Sequence, residues 1–465
     1  MTTPNSYKKV YFIGIGGIGM SALARYFHSN GAEVQGYDLT PSPLTEALQA
    51  EGIPIHYTDN PELIAQSYPH PSKVLVVYTP AVPEDLGELK YCREKGFRVV
   101  KRSEALGEAV RTQQLLAVAG THGKTTTSSL LAHLMHSSHV GGNAFLGGIV
   151  TNYSSNLLLD TKSDFVVVEA DEYDRSFLHL SPHMAIVTSL DPDHLDIYGS
   201  PAGYREGFDQ FVARIKPHGV LLHKKGIYTE LPQCAEGVRI LSYAMGEEAD
   251  FYADNLQFKE GKLFFDWHSK VHNIDLLRLE LGVPIAINVE NATAAMAIAY
   301  LNGVTADELR ESLASFKGIH RRFERLVDTP RYVFIDDYAH HPEELRAAIT
   351  SVRRLYPEES ILGIFQPHLY SRTQDFYKEF AQSLSLLNEV ILLPIYPARE
   401  EPIPGVTSQL IFDKITSPCK SIVEREELVT HLERRDDLPR IILTLGAGNI
   451  DRIVPPLAHL LRTKQ

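Results

Sequence analysis

The sequence predicts an α/β protein built in three successive sections, and three observations carry that reading. Apolar strand-type runs alternate with helically spaced segments along most of the chain. The alternation is interrupted twice, near Val110 and around "GIHRRFER" at residues 318–325. In every section the glycines, carboxylates and histidines follow the strand runs, where open α/β sheets hold their ligands. A chain of 465 residues also has room for two to four domains, at roughly 100–200 residues each.

The first section, residues 1–110, opens on "KVYFIGI", an apolar run leading into glycines. "SALARYFHS" follows with helical spacing, "AEVQGYD" reads as the next strand, and "KVLVVYTP" as a buried one. The second, 111–320, starts with "LLAVAG", a glycine loop and a helix. "FVVVEADEYD" and "MAIVTSLDPDH" are strands with acidic or histidine C-terminal ends, and residues 219–281 are more polar and strand-like. "ENATAAMAIAYLNG" is an Ala-rich helix ending near Gly303, and "TADELRESLASF" is another, with Thr305 as its N-cap. The third, 321–465, repeats the rhythm with "YVFIDDYAHHP", "SILGIFQPH", "EVILLPIYPA" and "RIILTLGAGNI".

Composition narrows the class. A formal net charge of −13 argues against broad nucleic-acid binding. Cys92, Cys234 and Cys419 are far apart, which excludes a zinc spacing and a disulfide framework. "MTTPNSYKK" has no apolar signal region, and no apolar run reaches the roughly 18 residues of a membrane helix. The expectation is a cytoplasmic protein with no membrane insertion.

Two glycine loops carry the chemistry. Gly14-x-Gly16-x-x-Gly19, with Gly17 inside it, follows a strand and opens a helix; Asp38 ends the next strand about 20 residues on. This is the dinucleotide fingerprint, so a nicotinamide-dependent oxidoreductase is one reading. The geometry demands only a diphosphate at a helix N-terminus, which a UDP-sugar supplies equally well. The second loop, Gly120-Thr121-His122-Gly123-Lys124-Thr125-Thr126, is a variant P-loop in which Val118 stands where the first glycine is expected. Its backbone N–H groups and Lys124 suit phosphates, and the Thr125 hydroxyl suits Mg²⁺. Further oxygen ligands are on offer at two strand ends: Glu169, Asp171, Glu172 and Asp174, then Asp191, Asp193, His194 and Asp196. Pattern alone does not choose among them.

In the third section, "DDYAHHPEE" places Asp336, Asp337, Tyr338, His340 and His341 at a strand-to-helix junction, with Pro342 at the first helical position. "FQPHLYSRT" places His368, Tyr370 and Arg372 at the next strand end. Together they read as a carboxylate-recognition surface, since arginine binds carboxylates bidentately. Arg321 and Arg322, at the boundary, are either solvated linker charges or phosphate contacts.

These motifs together resemble the Mur ligases, the ATP-dependent amino-acid ligases of bacterial peptidoglycan synthesis. The residues that carry the resemblance are "GIGGIGMSALA", "AGTHGKTTT", "EADEYDRSFLHL", "DPDHLDIY", "ENATAA", "RRFE", "DDYAHHPEE", "FQPHLYSRT", "YPAREEPIPGV" and "GAGNI", in family order across nearly the whole chain. The resemblance implies three domains: an N-terminal Rossmann-like domain for the UDP substrate, a central P-loop ATPase-type domain and a C-terminal Rossmann-like domain. It is similar to the alanine-adding branch, which implies ligation of L-alanine to the lactyl carboxylate of UDP-N-acetylmuramate through an acyl phosphate, with ATP and Mg²⁺.

By the same resemblance, Lys124 and Thr125 serve phosphates and metal, and Glu169 and His194 are metal-associated. Asn288 meets adenine, Arg322 a phosphate and Asp337 the ribose. Tyr338, His340, His368 and Arg372 fall on the alanine side. Gly14, Gly16, Gly17, Gly19, Asp38 and Thr79 fall on the UDP side. Ile287 stands where the family often has histidine, "GAGNI" replaces the common "GAGDI", and no lysine close after the "DH" motif invites carbamylation. A monomer or weak homodimer is expected. The neighbouring reading is a murein-peptide recycling ligase, which joins a tripeptide to the same UDP-sugar; "FQPHLYSRT" favours the alanine enzyme.

Overall fold

A computed structural model of the chain describes residues 7–398 and 400–464, with Leu195 and Asp196 by backbone only. The N-terminal residues 1–6, the Asp196 side chain of the second acidic cluster and Arg399 within "YPAREEPIPGV" lie outside the described residues.

Each section read from the sequence contributes one sheet. The first holds five parallel strands in the order Ile55–His56, Glu33–Tyr37, Lys9–Ile13, Val74–Tyr78 and Arg98–Lys101. The order doubles back at Lys9–Ile13, so the "GIGGIGM" loop leaves the sheet where the strand order reverses, the usual ligand position of such sheets. The strand is buried because Val10, Phe12 and Ile13 are apolar and covered on both faces.

The second sheet has ten strands. Its central strand, Gln114–Ala119, runs parallel between Phe165–Glu169 and Met184–Val187. Both acidic strand ends therefore flank the loop that follows Ala119. The Ala-rich helix spans Ala286–Leu301. The helix Ala306–Ser315 has Thr305 at its N-cap as the sequence predicts, and Glu308 completes a reciprocal capping box with it.

The third sheet has six strands, ordered Glu324–Asp328, Val333–Asp337, Ile441–Leu445, Ile361–Phe365, Glu389–Leu392 and Cys419–Ile422. Only the first pairing is antiparallel. Pro342 is the first residue of the helix Pro342–Leu355, its fixed φ serving the turn where an N–H has no helical partner.

The chain forms two compact units. One comprises residues 1–255, 265–279 and 289–316; the other comprises 256–264, 280–288 and 317–465. No described helix is long and apolar enough to cross a membrane.

Candidate active site

In the first unit, both loops rest on backbone conformations that favour glycine. Gly14 has φ 82°, and a Cβ there would strike the Thr79 side chain at 2.5 Å. The Gly16 N–H donates to Asp38 Oδ2 at 2.7 Å, so the fingerprint acid is spent on holding the loop. The helix Ile18–Ser29 then starts at Gly17 with no side-chain cap, leaving its first N–H groups for an anion. Beside it opens a cavity of about 320 Å³ lined by Gly17, Gly19, Thr79, Arg102, Glu169 and Asp171, among others. The first glycine loop and the acidic end of Phe165–Glu169 thus share one cavity.

The second loop turns on Gly120 (φ 134°) and Gly123 (φ 80°) before the helix Lys124–His136. A Cβ on Gly120 would collide with Thr188 Oγ1, and one on Gly123 would stand 2.8 Å from Asn291 Oδ1. Further bonds pin the loop: Thr121 Oγ1 donates to the Asp191 carbonyl at 2.6 Å, and the His122 N–H to Ser189 Oγ at 2.8 Å. Lys124 Nζ donates to the Gly120 carbonyl (2.7 Å), the Thr121 carbonyl (3.3 Å) and Glu172 Oε1 (2.8 Å). Thr125 Oγ1 donates to Glu169 Oε1 at 3.0 Å, and the Gly147 N–H to Glu169 Oε2 at 3.1 Å. Burial pushes the Glu169 carboxyl up, opposed by the Lys124 charge and the Thr125 hydroxyl.

Geometry now separates the acids. Glu169 and Glu172 face the phosphate loop. Asp171 and Asp174 turn to Arg102 (3.2 Å) and Lys101 (2.6 Å). Asp174 and Arg175, with φ 52° and 54°, form a left-handed kink just beyond this run. Asp193 Oδ1 accepts from the His194 N–H at 2.7 Å, and the His194 ring packs edge-on against Tyr173. Thr126 is half-buried.

No cluster of three His, Cys, Asp or Glu among the described residues would by itself hold a metal. A buried carboxylate and a hydroxyl from Glu169 and Thr125 suit a hard cation such as Mg²⁺, which takes few protein oxygens and completes its shell with phosphates and water.

The second unit gathers the third-section candidates. Arg321 is not a solvated linker charge: its Nε donates to Asp336 Oδ2 at 3.0 Å and its Nη2 to the Gly446 carbonyl at 2.6 Å. Thr444 Oγ1 donates to the other Asp336 oxygen at 2.6 Å, completing a buried structural pair. Arg322 is exposed, its guanidinium 5.4 Å from the Tyr338 ring centre. Asp337 accepts the N–H groups of Phe323 (2.8 Å) and Ala339 (2.7 Å). Burial still pushes its carboxyl up to about 6. Asn288 is buried at the first turn of its helix, and Ile287 beside it is exposed.

The rings of Tyr338, His340, His368 and Tyr396 form a chain, with successive centres 5.4, 6.1 and 5.7 Å apart. Burial lowers the pKa of both His340 and His368. His368 Nδ1 and Arg372 Nη1 are buried with no hydrogen-bond partner among the described residues. Two donor-capable nitrogens left open in this way call for a ligand, because unpaired buried polar atoms are costly.

Sequence reasoning missed two residues and left a third unchosen. Glu172 lay inside an acidic cluster that offered no ground for choosing it. Arg102 sits in "RVVKRSEALGEAV", which carries no motif. Asn291, which accepts from Thr127 Oγ1 at 3.2 Å and closes over Gly123, lies one helical turn beyond Asn288. That i, i+3 spacing in "NVEN" was the available signal.

Family models match three consecutive stretches: the Mur ligase family catalytic domain at residues 9–114, the Mur ligase middle domain at 118–299, and the Mur ligase glutamate ligase domain at 321–448. The chain is 57% identical over 457 residues to the UDP-N-acetylmuramate–L-alanine ligase of Porphyromonas gingivalis, covering 98% of this chain and 99% of that one. The crystal structure of the UDP-N-acetylmuramate–alanine ligase of Thermotoga maritima superposes with a TM-score of 0.82 at 27% identity, covering 98% of this chain and 100% of that one. A murein peptide ligase from Psychrobacter arcticus shares the fold, with a TM-score of 0.65 at 21% identity over 98% of this chain and 99% of its own.

Proposed function

The chain belongs to the Mur ligase family, and we propose that it joins L-alanine to the lactyl carboxylate of UDP-N-acetylmuramate with conversion of ATP to ADP and phosphate. The observation that carries this reading is the identity of 57% over nearly the full length of a ligase named for that reaction. The geometry supports it with a phosphate loop whose neighbouring strand ends at a cavity shared with a second glycine loop. An oxidoreductase reading of the first loop gives no role to Lys124, Glu169 and Glu172.

The reaction follows from charge management. One lactyl carboxylate oxygen attacks the γ-phosphorus of ATP, the bond to the β-phosphate oxygen breaks, and ADP leaves. The amine of alanine, having lost its proton, adds to the acyl phosphate, and phosphate departs with the carboxylate oxygen that joined it. Both first reactants are anions, so cations and N–H dipoles must offset their repulsion. Lys124 and the N–H groups of Gly120–Thr125 are assigned to the β- and γ-phosphates. Glu169 and Thr125 are assigned to Mg²⁺, with His194 as the family's further metal-associated residue. When bound, Mg²⁺ supplies positive charge to the transferring phosphoryl group. Asn288, Arg322 and Asp337 are assigned to adenine, phosphate and ribose. Tyr338, His340, His368 and Arg372 are assigned to alanine, where the unpaired Arg372 Nη1 suits its carboxylate.

We further assign the protein to the cytoplasm, where both nucleotides are available. Release of ADP that requires UDP-N-acetylmuramate and L-alanine together tests the reading. ADP release unaffected by omitting either one would refute it.

A further inference from the structure

Resting on that substrate, we propose that Arg102 is the residue that grips an anionic group of the nucleotide-sugar, its diphosphate or its lactyl carboxylate. Among the described residues lining the cavity beside the first glycine loop, Arg102 is the single lysine or arginine. The lining includes Gly17 and Gly19 of the loop together with Glu169 and Asp171, and Arg102 lies against the Gly19 position and bonds Asp171. A Cβ on Gly19 would stand 2.8 Å from Arg102 Nη1 and 3.2 Å from its Cδ, so the last glycine of the fingerprint is the gap in which the arginine lies. At the far side, Nη2 reaches Asp171 Oδ2 at 3.2 Å.

That contact is built to be exchanged. It is single and longer than the roughly 2.7–2.9 Å of a well-made charge-assisted bond. It is also the one hydrogen bond Arg102 makes to a described residue. Four of its five N–H donors are therefore free for a bidentate grip. Asp171 does not depend on the arginine for its place: its Oδ1 accepts the Tyr173 N–H at 3.0 Å and its carbonyl the Phe177 N–H at 2.9 Å. The guanidinium can turn from Asp171 to a substrate anion without unseating the loop that carries Glu169. A UDP-sugar anchored at the first glycine loop and extending toward Glu169 would occupy the cavity that Arg102 lines.

The test is binding of two nucleotide-sugars, by calorimetry, to the full-length wild type, Arg102→Gln and Arg102→Lys. UDP-N-acetylmuramate has both anions; UDP-N-acetylglucosamine has the diphosphate alone. Arg102→Gln should weaken UDP-N-acetylmuramate about 10- to 100-fold, the range of a charged hydrogen bond. Arg102→Lys should recover part of the loss, and neither variant should change ADP affinity. A parallel loss for UDP-N-acetylglucosamine assigns the arginine to the diphosphate, and a loss confined to UDP-N-acetylmuramate assigns it to the carboxylate. Unchanged affinity in a variant with the wild-type melting temperature overturns the proposal, as does an equal loss of ADP affinity. A wild type that binds neither nucleotide-sugar overturns the substrate reading itself, and the Arg102 assignment with it.

Discussion

Lys124 and Glu172 form a buried ion pair at the phosphate loop, Nζ to Oε1 at 2.8 Å, with their side chains 14% and 3% exposed. With the Gly120 and Thr121 carbonyls, Glu172 occupies all three ammonium donors. The other oxygen of Glu172 is buried with no hydrogen-bond partner among the described residues. The lysine is held folded onto its own loop, and phosphate must draw it away from a carboxylate that then stands alone.

Removing the lysine should therefore damage both chemistry and fold. Lys124→Ala is expected to lower turnover at least about 100-fold through loss of phosphoryl-charge stabilisation. It should also cost about 3 kcal/mol in denaturant unfolding, because Glu172 is left as an uncompensated buried charge. Adding Glu172→Gln should recover most of the stability and none of the turnover. Recovery of turnover in the double variant would remove Lys124 from the chemistry.

Thr125 and Thr126 should separate cleanly. Thr125 Oγ1 is bonded to Glu169, whereas the Thr126 hydroxyl makes no hydrogen bond to a described residue. Thr125→Val should lower turnover and raise the Mg²⁺ concentration giving half-maximal rate, whereas Thr126→Val should leave both near wild type. The reverse pattern, in steady-state assays over a Mg²⁺ titration, would exchange their roles.

Asp337 sets a pH dependence. Its carboxyl sits at about 6, raised by burial from an ordinary 3.8. Such a group binds its proton more tightly when folded, so its contribution to stability is fully present below about pH 4 and lost as pH rises through 6. Relative to Asp337→Asn, the wild type should gain stability as pH falls from 7 to 4. The ribose contact proposed for Asp337 needs the carboxylate, so on that assignment the KM for ATP should rise as pH falls through 6. A flat KM in the wild type, matching Asp337→Asn, would free Asp337 from nucleotide binding.

Arg372 is expected to act on one substrate. Arg372→Ala should raise the KM for L-alanine about 10- to 100-fold, the range of a lost charge-assisted hydrogen bond, with the KM for ATP unchanged. An unchanged alanine KM would take Arg372 out of the site.

Local signals made much of this legible. Gly14, Gly120, Gly123 and Pro342 each announce a backbone geometry that the neighbouring residues cannot substitute, and Lys124 announces a charge at the phosphate loop. The acidic strand ends could be read, and sheet order put both of them beside the phosphate loop. Contacts set by tertiary path could not be read. Glu169 and Glu172 meet Thr125 and Lys124, whereas Asp174 and Asp171 meet Lys101 and Arg102, partners 44 to 73 positions away along the chain. Arg321 and Arg322 are adjacent and chemically identical, yet one is buried on Asp336 and the other exposed. Only the sheet below decides which. Arg102 is ordinary in its own segment and becomes notable through Gly19, more than eighty positions earlier.

The most direct measurement supplies UDP-N-acetylmuramate labelled with ¹⁸O in its lactyl carboxylate, together with ATP, Mg²⁺ and either L-alanine or a preformed tripeptide. Mass spectrometry then follows the label and the product. Activation of that carboxylate for alanine predicts ¹⁸O in the released phosphate and a product heavier by one alanine residue. Unlabelled phosphate, or product formed with the tripeptide alone, would contradict the assignment.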